Sequence, residues 1–385
     1  MKNTHLLILA LQLFVPVKDF NVFDVGSNKK RVNIEDIEQR IARNIPNRIR
    51  TFEKFLDDER KSFGVSNPPK IQLAIPGLIL QLLKKNHPSE FNLLKNLIAD
   101  YKIELLLSTF YNTSLKIIND VDLAGQLLQE KDFIKRNFGL KAELFFTNDH
   151  HLSKKISLAL KRAKVKGIIF ANNGNVSLLH YTNSTLPVLD LTKGHISSVA
   201  KMHTYSFLHL GNDSIKKELH KLFSSVEKRN FISCSELIKK ETSQLILQEK
   251  ESLSNEFNSE LEKHLVNELQ MMYPHIIKSG DEGLLETWRL LANKELISYA
   301  NPELASQDHN PYDYYANVMH VMNDMAHTII SVENVRRGRP QIKATIHASP
   351  SAFIQEQLFS SENNSLNKFE KSFDYLSKTR GGLNE

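Results

Sequence analysis

The segment AELFFTNDHHLS (residues 142–153) places one carboxylate and two imidazoles directly behind a short apolar run. Leu144, Phe145 and Phe146 read as a strand, Thr147-Asn148-Asp149-His150-His151 as its tip, and a helix is expected to follow. In a parallel α/β protein the C-terminal tips of the strands form the face where chemistry is done. Asp149 is therefore the best-placed candidate catalytic residue. Its simpler role is helix capping, with Asp149 or Ser153 accepting backbone N–H groups. A metal site fits poorly: neighbouring residues on an extended chain point to opposite faces, so only one of His150 and His151 joins Asp149. His180, His195, His203 and His209 show no ligand spacing, and no metal or cofactor is expected. Among other carboxylates, Asp190 in Pro187-Val188-Leu189-Asp190-Leu191 lies near a strand tip and is the more plausible partner for Asp149. Glu104 sits mid-strand and is expected to face a surrounding helix. Gly174, alone in Asn172-Asn173-Gly174-Asn175, makes a turn rather than a phosphate loop.

Short apolar runs alternate with helical periodicities over the first 210 residues, and these must position such tips. The runs are His5–Leu11, Ile71–Ile75, Ile103–Leu107, Glu143–Phe146, Gly167–Ala171, Leu186–Leu191 and Tyr205–Leu210. Between them lie helical patterns at Ile34–Asp58, Leu78–Lys85, Phe91–Ala99, Leu123–Asn137 and Ser153–Lys164, with starts at Asn33-Ile34-Glu35 and Pro88-Ser89-Glu90 and stops at Gly139 and Gly167. About seven strands alternating with helices predict an α/β fold, a parallel, barrel-like domain over residues 1–211. From 212 to 332 the pattern is helical throughout (Ser214–Glu227, Cys234–Glu251, Glu256–Met272, Leu284–Tyr299, Asp313–Val332), giving a second domain. Residues 333–385 are polar and poorly periodic and read as a loosely ordered tail.

The 385 residues are 41% hydrophobic and 24% charged, with a net charge of +6 from scattered lysines. That excess has no stripe or tail, so nucleic acid is not implied. A single Arg337-Gly338-Arg339-Pro340 core has the form of a minor-groove hook, but one copy after a helix reads better as a solvated linker. The lone Cys234 excludes an internal disulfide and suits a reducing, cytoplasmic setting. The apolar start (Met1-Lys2, then His5 to Pro16) has the outline of a signal peptide without its small-residue cleavage site; a buried first strand is expected, with secretion as the alternative. No apolar stretch is long enough to span a membrane. Trp288, Tyr312, Tyr314 and Tyr315 have rings suited to stacking on sugars, although helical spacing favours packing, above all for Trp288.

The order of segments is similar to glycoside hydrolase family 57, the α-amylase-like family, over residues 1 to about 330. Pro76-Gly77-Leu78-Ile79-Leu80-Gln81, Pro88, Asn92–Leu97 and Ile103-Glu104-Leu105-Leu106 resemble its second-to-third-strand region. Phe138-Gly139-Leu140-Lys141 with Leu144-Phe145 resembles the approach to its nucleophile. Trp288-Arg289-Leu290, Tyr299, Pro311-Tyr312-Asp313 and Met319–Met325 resemble its helical region. The resemblance implies a distorted, incomplete (β/α)7 barrel followed by an α-helical domain, and an α-glucan or maltooligosaccharide as partner. It puts Asp149 at the nucleophile position and Ser206, in Ser206-Phe207-Leu208-His209-Leu210-Gly211, at the acid position, with Leu208 replacing a glutamate. Retaining glycosidases need two carboxylates about 5–5.5 Å apart, and a serine hydroxyl is no general acid near neutral pH. His209 and Asp190 are the alternative acids. Supporting groups are also exchanged: Phe14-Val15-Pro16 keeps only the proline of a His-Gln-Pro, Tyr111-Asn112 replaces a Tyr-His, and Lys294-Glu295-Leu296 a Ser-Asp-His. Tyr111, Trp288 and Tyr312 are the implied substrate-binding residues. The expectation is a catalytically degenerate α-glucan-binding homologue; the alternatives are an active α-glucan hydrolase or 4-α-glucanotransferase using Asp149, or a non-enzymatic interaction scaffold.

Overall fold

The computed structural model describes residues 5–10, 34–63, 70–147, 154–172, 175–180, 201–206, 217–221, 233, 235–236, 257–305, 310–336 and 349–351. The chain forms two compact units. The first comprises Met1–Val22, Asn33–Asn258 and Ala292–Ser298; the second comprises Phe23–Val32, Ser259–Leu291 and Tyr299–Glu385.

The first unit is α/β. Its strands are β1 (His5–Ala10), β2 (Ile71–Ala74), β3 (Glu104–Leu106), β4 (Leu144–Thr147), β5 (Gly167–Asn172), β6 (Asn175–His180) and β7 (Lys201–Ser206), in the spatial order β3-β2-β1-β7-β6-β5-β4. The pairs β1–β2, β1–β7, β2–β3 and β4–β5 are parallel. The two ends of that order meet. Leu107, one residue past β3, bridges Phe145 in parallel; its N–H donates to the Leu144 carbonyl at 2.7 Å and its carbonyl accepts from Phe146 N at 2.8 Å. Leu7, Ile8, Leu9, Ile168 and Ile169 have no exposed surface, and Leu106 and Phe145 only 1%. Consecutive buried residues mean both faces of the strands are covered, which explains their unbroken apolar runs.

One strand departs from the expected all-parallel pattern. β6 runs antiparallel to β5, with Asn172 opposite Asn175, and antiparallel to β7. The Asn173-Gly174 pair between β5 and β6 has the composition of a two-residue hairpin connection. The run Leu186–Leu191 lies outside the described residues.

The helices of this unit are α1 (Ile34–Phe63), α2 (Gly77–Asn86), α3 (Pro88–Asp100), α4 (Asp120–Phe138) and α5 (Lys154–Arg162). α4 shows why they start and stop where they do. The Asn119 side chain accepts from Asp122 N at its head, acidic residues fill its first turn and basic ones its last, and Gly139 closes it at φ 69°. α2 begins at Gly77, pressed against the Phe110 ring, while Leu78 N donates to the Phe110 carbonyl at 2.9 Å. A Cβ on Gly77 would lie inside that buried ring. Gly77→Ala is therefore expected to cost about 1–3 kcal/mol through overpacking. Gly125→Ala, at an α4 position with open space around it, should be neutral or stabilising by up to about 1 kcal/mol. Denaturant midpoints of the two variants check this, and shifts of the same sign would contradict it.

The second unit is helical among its described residues: α6 (Glu260–Ser279), α7 (Glu282–Leu291), a short 3-10 turn at Pro302–Leu304, and α9 (Pro311–Arg336). Ser259 and Glu262 form a reciprocal cap at the head of α6. At its tail Gly280 takes φ 67°, and the Arg336 guanidinium donates to the carbonyls of Lys278 (3.0 Å) and Ser279 (2.7 Å). Arg336 is thus occupied in holding a helix end; Arg337–Pro340 lie outside the described residues. Leu284–Tyr299, expected as one helix, is divided. α7 stops at Leu291, and α8 (Lys294–Ser298) starts afresh after Asn293, whose side-chain oxygen accepts from Glu295 N at 3.0 Å. No helix among the described residues is long and apolar enough to cross a membrane.

Candidate functional site

The described part of the strand-tip face centres on the loop leaving β3, residues 107–119. Three polar side chains shape it. Glu130 of α4 has no exposed surface and grips Ser108: the backbone N–H donates to Oε2 at 2.8 Å, and the hydroxyl lies 3.0 Å from Oε1. Burial pushes the Glu130 carboxyl well above the usual range, against the smaller opposing pull of the two Ser108 bonds. One turn earlier on the same helix face, fully buried Gln126 accepts from Tyr111 N at 3.2 Å, meets the Thr113 hydroxyl, and donates to Asp122 Oδ2 at 2.8 Å. Within the loop, Asn112 N donates to the Thr109 carbonyl and the Thr109 hydroxyl to the Thr113 carbonyl, forming a tight turn.

Asn112 stands at φ 56°, a left-handed conformation that asparagine accepts more readily than most residues. Its side-chain amide donates to Glu295 of α8. The segment Ala292–Ser298 is tied to this loop by three further hydrogen bonds: Asn293 Nδ2 to the Tyr111 carbonyl (2.8 Å), and Lys294 N to the Asn112 carbonyl (3.2 Å) and Ser114 N to the Ala292 carbonyl (3.3 Å), the last two forming an antiparallel bridge between Thr113 and Asn293. The break between α7 and α8 gives Asn293 two tasks, capping α8 and bonding the β3 loop.

These contacts bring together Tyr111, Asn112 and Glu295, which the sequence resemblance placed at supporting positions. Tyr111 is only 7% exposed, with its ring 5.2 Å from that of Phe110. Leu296, at the last position of the exchanged triplet, is buried. Ser206 is the last residue of β7 and pairs with Ala10, the last residue of β1. Glu104, expected mid-strand, is the first residue of β3 and accepts from Ser235 N at 3.1 Å. Asp149, Asp190, His209, Phe14 and Leu208 lie outside the described residues. In the second unit, Trp288 has no exposed surface; its indole N–H donates to the Leu269 carbonyl at 2.8 Å and its ring lies 4.6 Å from Tyr273. Tyr314 is buried against Tyr299, the Tyr315 hydroxyl meets His264 at 2.9 Å, and Tyr312 is 62% exposed at the head of α9. Among the described residues no cluster of His, Cys, Asp and Glu is suited to a metal.

Glu130, Gln126 and Asn293 were not singled out from sequence. Yet Leu123, Gln126, Leu127, Glu130 and Ile134 form one buried stripe along α4, and two polar residues on an apolar stripe mark a place where the helix must hold something.

No curated protein sequence matches the chain at a significant level. Among solved structures, a GH57-type branching enzyme from Pyrococcus horikoshii aligns with 93% of this chain and 94% of its own at 9% identity and a TM-score of 0.55. A GH57 branching enzyme from Thermococcus kodakaraensis gives the same coverage and identity with a TM-score of 0.52. A 4-alpha-glucanotransferase from Thermococcus litoralis is 14% identical over 87% of this chain at a TM-score of 0.44, and this chain spans 60% of that longer one. At such identities the likeness concerns the fold. Residues 27–208, just under half of the chain, match the family described as Glycosyl hydrolase family 57.

Proposed function

We propose that this protein is a family-57 homologue of α-glucan metabolism that binds an α-glucan and has lost or greatly weakened its hydrolysis. Its first unit corresponds in this reading to the incomplete (β/α)7 barrel, and its helical segments to the region that follows. The observation that carries the proposal is Ser206 as the last residue of β7, the strand tip where the family resemblance puts the acid. A serine there supplies no proton to a leaving oxygen near neutral pH. The β3 loop supports the same reading. Glu130 is buried and holds Ser108, and Glu295 is buried and accepts from Asn112 through Oε2, its Oε1 being buried without a hydrogen-bond partner, so neither carboxyl is exposed as a substitute acid. Asp149 would then lack, at that tip, the family's partner for the two steps of a retaining mechanism.

The test is calorimetric titration of the full chain with a maltooligosaccharide, followed by product analysis of the same sample after prolonged incubation. Saturable binding without new reducing ends is expected. Cleavage would restore the active-hydrolase reading, and absence of binding would leave the fold as an interaction scaffold.

A further inference from the structure

The apolar stripe of α1 ends in a carboxylate. Ile45, Ile49, Phe52, Phe55 and Leu56 are all buried, and the next position on that face is Glu59, itself only 5% exposed. Glu59 Oε1 lies 3.4 Å from Nδ1 of His220, in the helical stretch 217–221 that follows β7. Oε2 is buried and has no hydrogen-bond partner among the described residues. A buried polar atom left without a partner is costly, and such an atom in a native structure calls for an explanation.

Glu59 belongs to the lining of a cavity of about 530 Å³, with Thr51, Lys54, Phe55 and Asp58 of α1 and with Lys217, His220 and Lys221. The volume is that of a small-molecule site. The α1 residues recur at helical spacing on one face, and Lys217 and Lys221 are four apart on the opposing segment. Three ammonium groups and the Asp58 carboxylate thus border a cavity that also has an aromatic wall in Phe55 and a recessed carboxyl in Glu59. Burial holds the Glu59 carboxyl above its ordinary value, although His220 pulls it down. A hydroxyl, which both donates and accepts, would satisfy Glu59 in either protonation state.

We propose that this cavity binds a hydroxylated phosphate ester of about hexose-phosphate size. The phosphate meets Lys217, Lys221 and Lys54, a hydroxyl meets the Glu59 carboxyl group, and the carbon skeleton lies on Phe55. The site is independent of the glucan reading, since it is built from helices flanking β1 and β7 rather than from the strand tips.

Titration of the full chain with glucose 6-phosphate, glucose and inorganic phosphate tests it. Glucose 6-phosphate should bind with one-to-one stoichiometry, at least tenfold more tightly than glucose or phosphate. The double variant Lys54→Ala/Lys217→Ala, which alters two exposed side chains of the lining, should keep the melting temperature and lose at least tenfold in glucose 6-phosphate affinity. No binding of glucose 6-phosphate, or unchanged affinity in the double variant, would overturn the site. Equal affinity for inorganic phosphate would overturn the role given to the Glu59 hydroxyl contact, and equal affinity for glucose the role given to the lysines.

Discussion

Replacing Glu130 with alanine is expected to destabilise the first unit by about 3–5 kcal/mol, because the Ser108 N–H loses its acceptor and the Ser108 hydroxyl its partner while a buried side-chain volume is vacated. Glu130→Gln separates the charge from the contact. The amide fills the same space, accepts from Ser108 N and donates to the Ser108 hydroxyl, as the protonated acid does. The sign of the pH dependence follows from the raised carboxyl of the folded state. In the unfolded chain Glu130 titrates near the ordinary glutamate value, so its contribution is fully present below about pH 4.3 and is lost as pH rises toward the folded-state value. Wild type and Glu130→Gln should therefore have similar stability near pH 4, and Gln should gain on wild type as pH increases. Denaturant unfolding from pH 4 to 8 measures this. Parallel curves would show that Glu130 is charged in the fold, contrary to its placement.

Trp288→Ala should lower the stability of the second unit by about 3–5 kcal/mol. The indole has no exposed surface, packs on Tyr273, and donates to the Leu269 carbonyl within α6. Trp288→Phe keeps an aromatic ring but removes the donor, and should cost less, with the lost hydrogen bond accounting for about 1 kcal/mol. Thermal unfolding of the two variants checks the order. An alanine variant within about 0.5 kcal/mol of wild type, the range of an ordinary surface change, would place the ring outside the core.

β7 (Lys201–Ser206) shares only Tyr205 and Ser206 with the expected run Tyr205–Leu210, whereas β1 to β5 announced themselves through continuous apolar runs, because burial on both faces removes the alternation that would otherwise compete with a helical reading. β6 did not. Its Asn175-Val176-Ser177-Leu178-Leu179-His180 is short and mixed, and the Asn-Gly pair before it was read only as a turn. Antiparallel pairing through a two-residue connection was the reading that pair allowed. The division of Leu284–Tyr299 was hidden for a different reason: Ala292 and Asn293 fit a helical periodicity, and only tertiary bonds to Tyr111 and Ser114 reveal why the chain leaves it. Glu130, Gln126 and Glu59 were not singled out from the sequence. Each in fact occupies a stripe position, a register visible in the sequence. What a stripe cannot reveal is the partner, since Ser108, Tyr111 and His220 come from other elements. Asp149 was legible as a strand-tip carboxylate, but its partners are a matter of three-dimensional convergence.

The central claim is binding without hydrolysis. It is tested most directly by incubating wild type and Asp149→Asn side by side with a maltooligosaccharide to which calorimetry has shown binding, and comparing their products. The two traces are predicted to coincide with the protein-free control. New reducing ends in wild type that vanish in Asp149→Asn would contradict the account and establish Asp149 as a working nucleophile.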